Sequence, residues 1–189
     1  MSGSEGNGRY GGDFEDEDDG DEELRTVNDN LIFLINARAS MFQENNKGVS
    51  HIIDALAFAL DVMKRFIVRN PKDSVGIVLY GTENKYPVVG GADNVYVLQK
   101  LEPVSGKAMS KLREFVEFNQ DSLTEKIGEP LAETGTNSQN RLKEALWTAS
   151  RQIITKRRQN RYDMRRVWLF TDDDDPCSDM GGEIGRAHV

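Results

Sequence analysis

Apolar positions along this chain follow two rhythms. Residues 31–35 (LIFLI) and 74–80 (SVGIVLY) are near-continuous apolar runs of strand length, the pattern of strands buried on both faces of a parallel sheet. Residues 167–170 (VWLF) form a third such run, and residues 94–98 (NVYVL) alternate as a short strand after the Gly90-Gly91 turn. Between them the spacing changes to that of helices. Ile52, Ile53, Leu56, Leu60, Met63 and Ile67 share one helical face with Phe66 beside it, Ser50 reads as the N-cap, and Pro71 stops the helix near Asn70. Ser105 and Gly106 open a second helix to about Phe118, with Met109, Leu112, Phe115 and Val116 inward. Thr136, Asn137 and Ser138 offer N-caps for a third, running through Lys156 with Leu142, Ala145, Leu146, Ala149, Ile153 and Ile154 at helical spacing.

The resulting order, β-α-β-β-α-α-β, predicts an α/β fold: a mostly parallel sheet with helices on both faces. Right-handed crossovers place the polar loops 36–40, 82–86 and 172–176 at one edge of that sheet, with a topological switch between the first and last strands. Ligands of open α/β sheets bind at such switch points.

The first of these loops reads Asn36-Ala37-Arg38-Ala39-Ser40. One common domain type carries D-x-S-x-S there and holds a divalent cation. This chain keeps the frame but has Asn36 for the Asp and Arg38 for the first Ser. Together with Thr136 and Asp172 these residues form the main constellation, a degenerate version of a metal site. Hard cations need oxygen ligands carrying enough negative charge to offset dehydration. Here only Asp172 supplies charge, and Arg38 brings a permanent cation to where the metal would sit. No metal is therefore expected, and an internal Arg38–Asp172 salt bridge or hydrogen-bond cluster is expected to replace it. The run Asp172–Asp175 reads as an exposed acidic loop, since successive residues rarely point at one centre.

Charge separates a tail from a body. The 189 residues carry a net charge of −8, and the first 23 hold ten acids against one base, leaving 22 acids and 23 bases in the rest. Gly-, Ser- and acid-rich, residues 1–27 are expected to be disordered, because they cannot bury enough apolar surface to offset ordering entropy. The body spans 28–178, and 179–189 reads as an unstructured tail. A single cysteine, Cys177, allows no intrachain disulfide and suits a reducing compartment. No apolar run approaches the ~18 residues of a membrane span, so the expectation is a soluble intracellular chain.

A basic cluster, Arg151, Lys156, Arg157, Arg158, Arg161, Arg165 and Arg166, is placed at a helix end and in the loop before the last strand, with Arg157, Arg158 and Arg161 as candidate phosphate contacts. An exposed helix end is the plainer reading. Enzymatic signals are poor: His51 and His188 have no motif partner, and neither a G-x-x-x-x-G-K-[ST] loop nor a G-x-G-x-x-G fingerprint occurs. No cofactor is expected.

Taken together, LIFLINARASMF, VGIVLYGTENK, NVYVLQKLEPVSGKA, LKEALWTA and RRVWLFTDDDDP resemble the N-terminal domain of Ku, the ring-shaped heterodimer that binds DNA ends. The likeness is to its seventy-kilodalton-type (alpha) subunit and covers about residues 28–178. The YGT at residues 80–82, the YVLQ at 96–99 and the LFT-x-x-D-x-P ending carry it. The resemblance implies a von Willebrand A-like (Rossmann-type) domain, a nuclear and chromosomal location including telomeres, and roles in non-homologous end joining and telomere maintenance. It implies as partners a second Ku subunit, contacted through regions largely outside this chain, and repair and telomere proteins. DNA ends would be met through a downstream β-barrel, and no membrane is involved. Two departures stand out: the family's strand-end turn begins with Asp where this chain has Asn36, and its N-terminal lyase lysine has no match, the first lysine here being Lys47. The family is often labelled an ATP-dependent DNA helicase subunit, but no residue pattern here supports ATP binding. Because residues 177–189 show neither strand nor helix pattern, the domain is expected to be C-terminally incomplete, leaving 167–170 as an exposed apolar edge. A stand-alone metal-dependent adhesion or chelatase-type A domain is the alternative, resting on Ser40, Thr136 and Asp172 in register.

Overall fold

The computed structural model describes residues 27–85, 92–118, 120–131, 141–157 and 163–176. Its four strands, β1 (Asp29–Asn36), β2 (Ser74–Tyr80), β3 (Val95–Pro103) and β4 (Met164–Phe170), form one sheet in the order β3-β2-β1-β4. β1 runs parallel to both β2 and β4, and β3 is antiparallel to β2. The α/β architecture is the expected one, and the switch point falls between β1 and β4.

The apolar runs explain why β1 takes the centre. Leu31, Phe33 and Ile35 pack with Val75, Ile77 and Leu79 against α1 (His51–Arg69), α2 (Gly106–Phe118) and α3 (Gln120–Ile127). Ile32 and Leu34 point the other way and join Val78 and Tyr80 against Leu142, Ala145 and Ala149 of α4 (Arg141–Arg157). With a neighbour on each edge and helices on each face, all eight β1 residues are buried.

That burial includes polar residues, which must find partners within the chain. At the N-terminal edge of the sheet Asp29 is 3 % exposed and Asp73, just before β2, is 0 % exposed. Asp73 Oδ1 accepts the Asp29 backbone N–H at 2.8 Å, and its Oδ2 accepts Arg69 Nε at 2.9 Å. Arg69 also reaches Asp29 at 3.3 Å, and Arg166 of β4 forms a fork on the same carboxylate, Nε to Oδ1 at 3.2 Å. One cluster thus ties the end of α1 to the starts of β1, β2 and β4. The Asp73 carboxylate beside it raises the proton affinity of Arg69, keeping it charged.

Several details depart from the pattern-based expectations. β4 starts at Met164, so Arg165 and Arg166 belong to the strand and not to a loop before it; Arg166 pairs in register with Leu31 because its guanidinium is neutralised by Asp29. β3 extends to Pro103, crossing Gly76 of β2 so closely that a Cβ there would lie 3.3 Å from the Leu101 backbone and from Ile32 Cγ1. The register of β2 and β3 slips on either side of Ile77 as a result. α3 went unforeseen, since only Leu123 and Ile127 mark its inner face. Ser50 occupies the N-cap of α1, yet its side chain makes no cap bond and its buried Oγ meets no partner among the described residues. Ser105 does cap, its Oγ accepting Ala108 N–H at 3.2 Å.

α1 ends as Pro71 requires, with Asn70 extended at φ −154° and its N–H on the Phe66 carbonyl. β4 is an edge strand of this sheet, with Val167 and Leu169 37 % and 39 % exposed. On its other face Phe33, Phe58, Trp168 and Phe170 form an aromatic cluster with ring centroids 5.6–6.3 Å apart. Of the expected tails 1–27 and 179–189, all but residue 27, together with the N-cap candidates Thr136, Asn137 and Ser138, lie outside the described residues.

Asp73→Ala should cost about 3 kcal/mol in urea unfolding, because it strips the acceptor from a buried N–H and from Arg69. Ser50→Ala should leave stability unchanged or raise it by up to about 1 kcal/mol, the opposite of an ordinary N-cap loss.

Candidate functional site

At the C-terminal edge of the sheet β1, β2 and β4 end together, and their loops converge. β1 ends in Asn36, which is 1 % exposed. Its Nδ2 donates to Asp172 Oδ1 at 3.1 Å and to Thr171 Oγ1 at 3.4 Å, while its Oδ1 accepts the Arg38 backbone N–H at 3.2 Å. The amide therefore both closes the turn after β1 and holds the loop after β4.

The next strand shapes the space around Arg38. Ala37 N–H donates to the Tyr80 carbonyl at 2.7 Å, extending the β1–β2 pairing by one residue. Gly81 follows with φ +80°, and a Cβ there would sit 3.2 Å from Arg38 Cγ. The glycine gives the backbone its left-handed turn and gives the arginine stem its bed. Tyr80 is buried, and burial pushes its phenol above its ordinary pKa, opposed by a hydrogen bond with Thr171 and by Arg38 nearby. Thr82, fully buried, donates Oγ1–H to the Asn84 carbonyl at 2.7 Å and accepts Asn94 Nδ2–H on its own carbonyl at 2.9 Å.

Arg38 pairs with Asp173, NH1 to Oδ2 at 3.9 Å, so the expected partner shifts by one residue while Asp172 takes the Asn36 amide. A second guanidinium enters from α4, whose first residue is Arg141. Burial, and then the charge of Arg38, lower the proton affinity of Arg141. Its Nε and NH1 are buried and meet no hydrogen-bond partner among the described residues.

Of the degenerate metal constellation, the structure joins Asn36, Arg38 and Asp172 into one cluster. Ser40 stands half-buried in the short 3-10 helix Ala39–Phe42, and Thr136 lies outside the described residues. Asp172–Asp175 folds back on itself, with Asp173 N–H on Thr171 Oγ1 and Asp175 N–H on Asp173 Oδ1. No group of three or more His, Cys, Asp or Glu occurs among the described residues. The Asn36 amide thus donates to the one template carboxylate, and the Arg38 guanidinium pairs with the carboxylate next to it.

The described members of the basic cluster lie toward the opposite edge of the sheet, where α4 ends and β4 begins. Arg151 lies over the Trp147 ring at 4.7 Å, and Arg166 is engaged by Asp29. Arg157 is the last residue of α4, while Arg158 and Arg161 lie outside the described residues. Elsewhere, an open groove of about 290 Å³ runs between β3 and α2, with Lys100, Lys111 and Lys126 on its rim. No described helix is long and apolar enough to cross a membrane.

Residues 30–183 match the Ku70/Ku80 N-terminal alpha/beta domain. The chain belongs to this Ku family. It is 30 % identical over 93 % of its length to the "ATP-dependent DNA helicase 2 subunit 1" of Rhipicephalus appendiculatus, 25 % over 94 % to the "ATP-dependent DNA helicase 2 subunit KU70" of Oryza sativa, and 27 % over 91 % to the mouse "X-ray repair cross-complementing protein 6". It spans 27–29 % of the length of these relatives. The Ku-like YGT segment now has a physical basis: Tyr80 buries against Thr171, Gly81 admits Arg38, and Thr82 ties the β2 turn to Asn94.

Sequence reasoning missed Tyr80, Arg141 and the Asp29–Asp73–Arg69–Arg166 cluster. A signal existed only for the last, an Asp at the head of each of two apolar strands. Tyr80 should titrate above the ~10 of a free phenol. Because the folded-state value is raised, its stabilising contribution is complete below pH ~10 and fades as pH rises through the folded value. Unfolding midpoints of the parent should therefore fall relative to Tyr80→Phe only above that pH; parallel curves would contradict the buried phenol.

Proposed function

We propose that this chain is the N-terminal interaction domain of a seventy-kilodalton-type (alpha) subunit of Ku, a DNA end-binding heterodimer. In this reading the subunit acts in the nucleus, in double-strand break repair by non-homologous end joining and in telomere maintenance at chromosome ends. The observation that carries it is the family match across residues 30–183, supported by relatives whose names include Ku70-type subunits and an X-ray repair protein. Its partners would be the second Ku subunit, through regions largely outside this chain, and repair and telomere proteins docking on the domain's surface.

Affinity capture from nuclear extract tests the reading, using the full-length subunit with this domain. Recovery of the second subunit and of repair factors is expected, and loss of the repair factors alone is expected when the domain's exposed surface is altered. Absence of both would reject the assignment. In the same heterodimer, reversing Arg157, Arg158 and Arg161 should weaken binding to DNA ends and reduce its salt slope by about one per lost phosphate contact. An unchanged slope would remove these residues from the DNA contact.

A metal-dependent A-domain is the second reading, favoured by the placement of Asp172 at the switch point beside the β1 turn. Calorimetric titration with Mg²⁺ or Mn²⁺ separates the two. Our reading expects no saturable heat; micromolar binding abolished by Asp172→Ala would favour the metal-dependent module.

A further inference from the structure

We propose that the chain's own acidic segment, residues 13–23, docks in the groove between β3 and α2. Phe14 covers the apolar floor of the groove, and the carboxylates on either side of it face the lysine rim.

The groove is a built surface. β3 is an outer strand of the described sheet, and the space of about 290 Å³ between its face and α2 stands open. The floor belongs to the main core: Leu112 and Phe115 are buried, and the part-buried Tyr96 and Leu98 pack against the same cluster. Three different elements bring cations to the rim, Lys100 from β3, Lys111 from α2 and Lys126 from α3, against one acid, Glu102. All three lysines are exposed, and Lys126 holds its Nζ 4.9 Å from the centroid of the Phe115 ring. An apolar floor with an excess of positive charge around it fits an apolar side chain carried among carboxylates.

Residues 13–23 have that chemistry. They hold nine acids, no base and one aromatic, Phe14, which stands between Asp13 and Glu15. The root of the segment is also near. Asn30 of β1 pairs with Ser74, and Ser74 with Pro103 at the end of β3, so β1 starts two strand spacings, about 10 Å, from the groove's own strand. Tyr96 pairs with Leu79, five residues further along β2, which adds about 17 Å. Phe14 lies fourteen residues before Asn28, and a chain of that length reaches up to about 46 Å. The tether makes docking intramolecular, at an effective concentration on the order of millimolar. Ordering entropy is then paid for Phe14 and its neighbours alone, not for the whole tail.

The test uses the 189-residue chain as an equal mixture of unlabelled and ¹⁵N-labelled protein. A water-soluble carbodiimide joins carboxylates to lysine amines that touch them, and mass spectrometry reads the joined peptides. Cross-links from residues 13–23 are expected at Lys100, Lys111 and Lys126 in higher yield than at Lys72 or Lys156, with both peptides carrying the same label. Lys72 reports an undocked segment, because it lies nearest the root: Asn70 Nδ2 donates to Asn28 Oδ1 at 3.2 Å. Lys156 reports capture by the basic end of α4 instead. Phe14→Ala, which keeps every charge, should lower the groove cross-links about fivefold or more and leave those at Lys72 undiminished. The same substitution should shift the backbone amide resonances of Leu98 and Phe115. Highest yield at Lys72 or Lys156, or equal groove yields in the parent and Phe14→Ala, would overturn the proposal. Groove cross-links that mix the labels would overturn the choice of occupant, since the docked segment would then come from a second copy.

Discussion

β1 has no solvent-facing side, and much of this structure follows from that. Strands flank both edges and helices cover both faces, so Asp29, Asn30 and Asn36 are enclosed along with the apolar residues between them. Each polar end must be satisfied from within the chain. At one end Asp29 gathers Arg69 and Arg166 while Asp73 receives its N–H; at the other Asn36 gathers Thr171 and Asp172. The two ends of the central strand thus fix where α1 stops, where β2 and β4 start, and how the β4 loop returns to the switch point.

The same constraint accounts for the nature of the candidate site. With an Asp at position 36, its carboxylate would face that of Asp172 across about a hydrogen-bond length in a part-buried corner, and the like charges would repel unless a counter-charge lay between them. Asn36 removes that need, since a neutral amide donates to Asp172 directly. Arg38 then lies over Gly81 and pairs with Asp173. A Ku-family fold built this way presents a neutral amide and a guanidinium at the strand-end corner.

Much of this was legible in the chain, and the failures have physical causes. Unbroken apolar runs marked β1 and β2, because a strand buried on both faces has no polar alternation to hide it. Residues 164–166 escaped notice, since Met-Arg-Arg reads as a loop unless a buried Asp29 is known to lie opposite. α3 shows only two inward positions. Asn36, Arg38 and Asp172 could be grouped from strand-end logic alone, whereas Arg141 could not, because its relevance depends on where α4 begins in space. Ser50 had the right residue type and the extended backbone of a cap, yet its hydroxyl makes no cap bond.

At the corner between β1 and β4 the neutral Asn36 amide donates to Asp172. The most direct measurement is the urea-unfolding free energy of Asn36→Asp as a function of pH, with and without Mg²⁺. The account predicts a loss of about 2 kcal/mol at neutral pH. Because the new carboxyl beside Asp172 has its pKa raised in the folded state, that loss should shrink as pH falls toward ~4, and Mg²⁺ should leave the parent unchanged. Parent-like stability of Asn36→Asp at neutral pH without Mg²⁺, or a parent chain that Mg²⁺ itself stabilises, would contradict it.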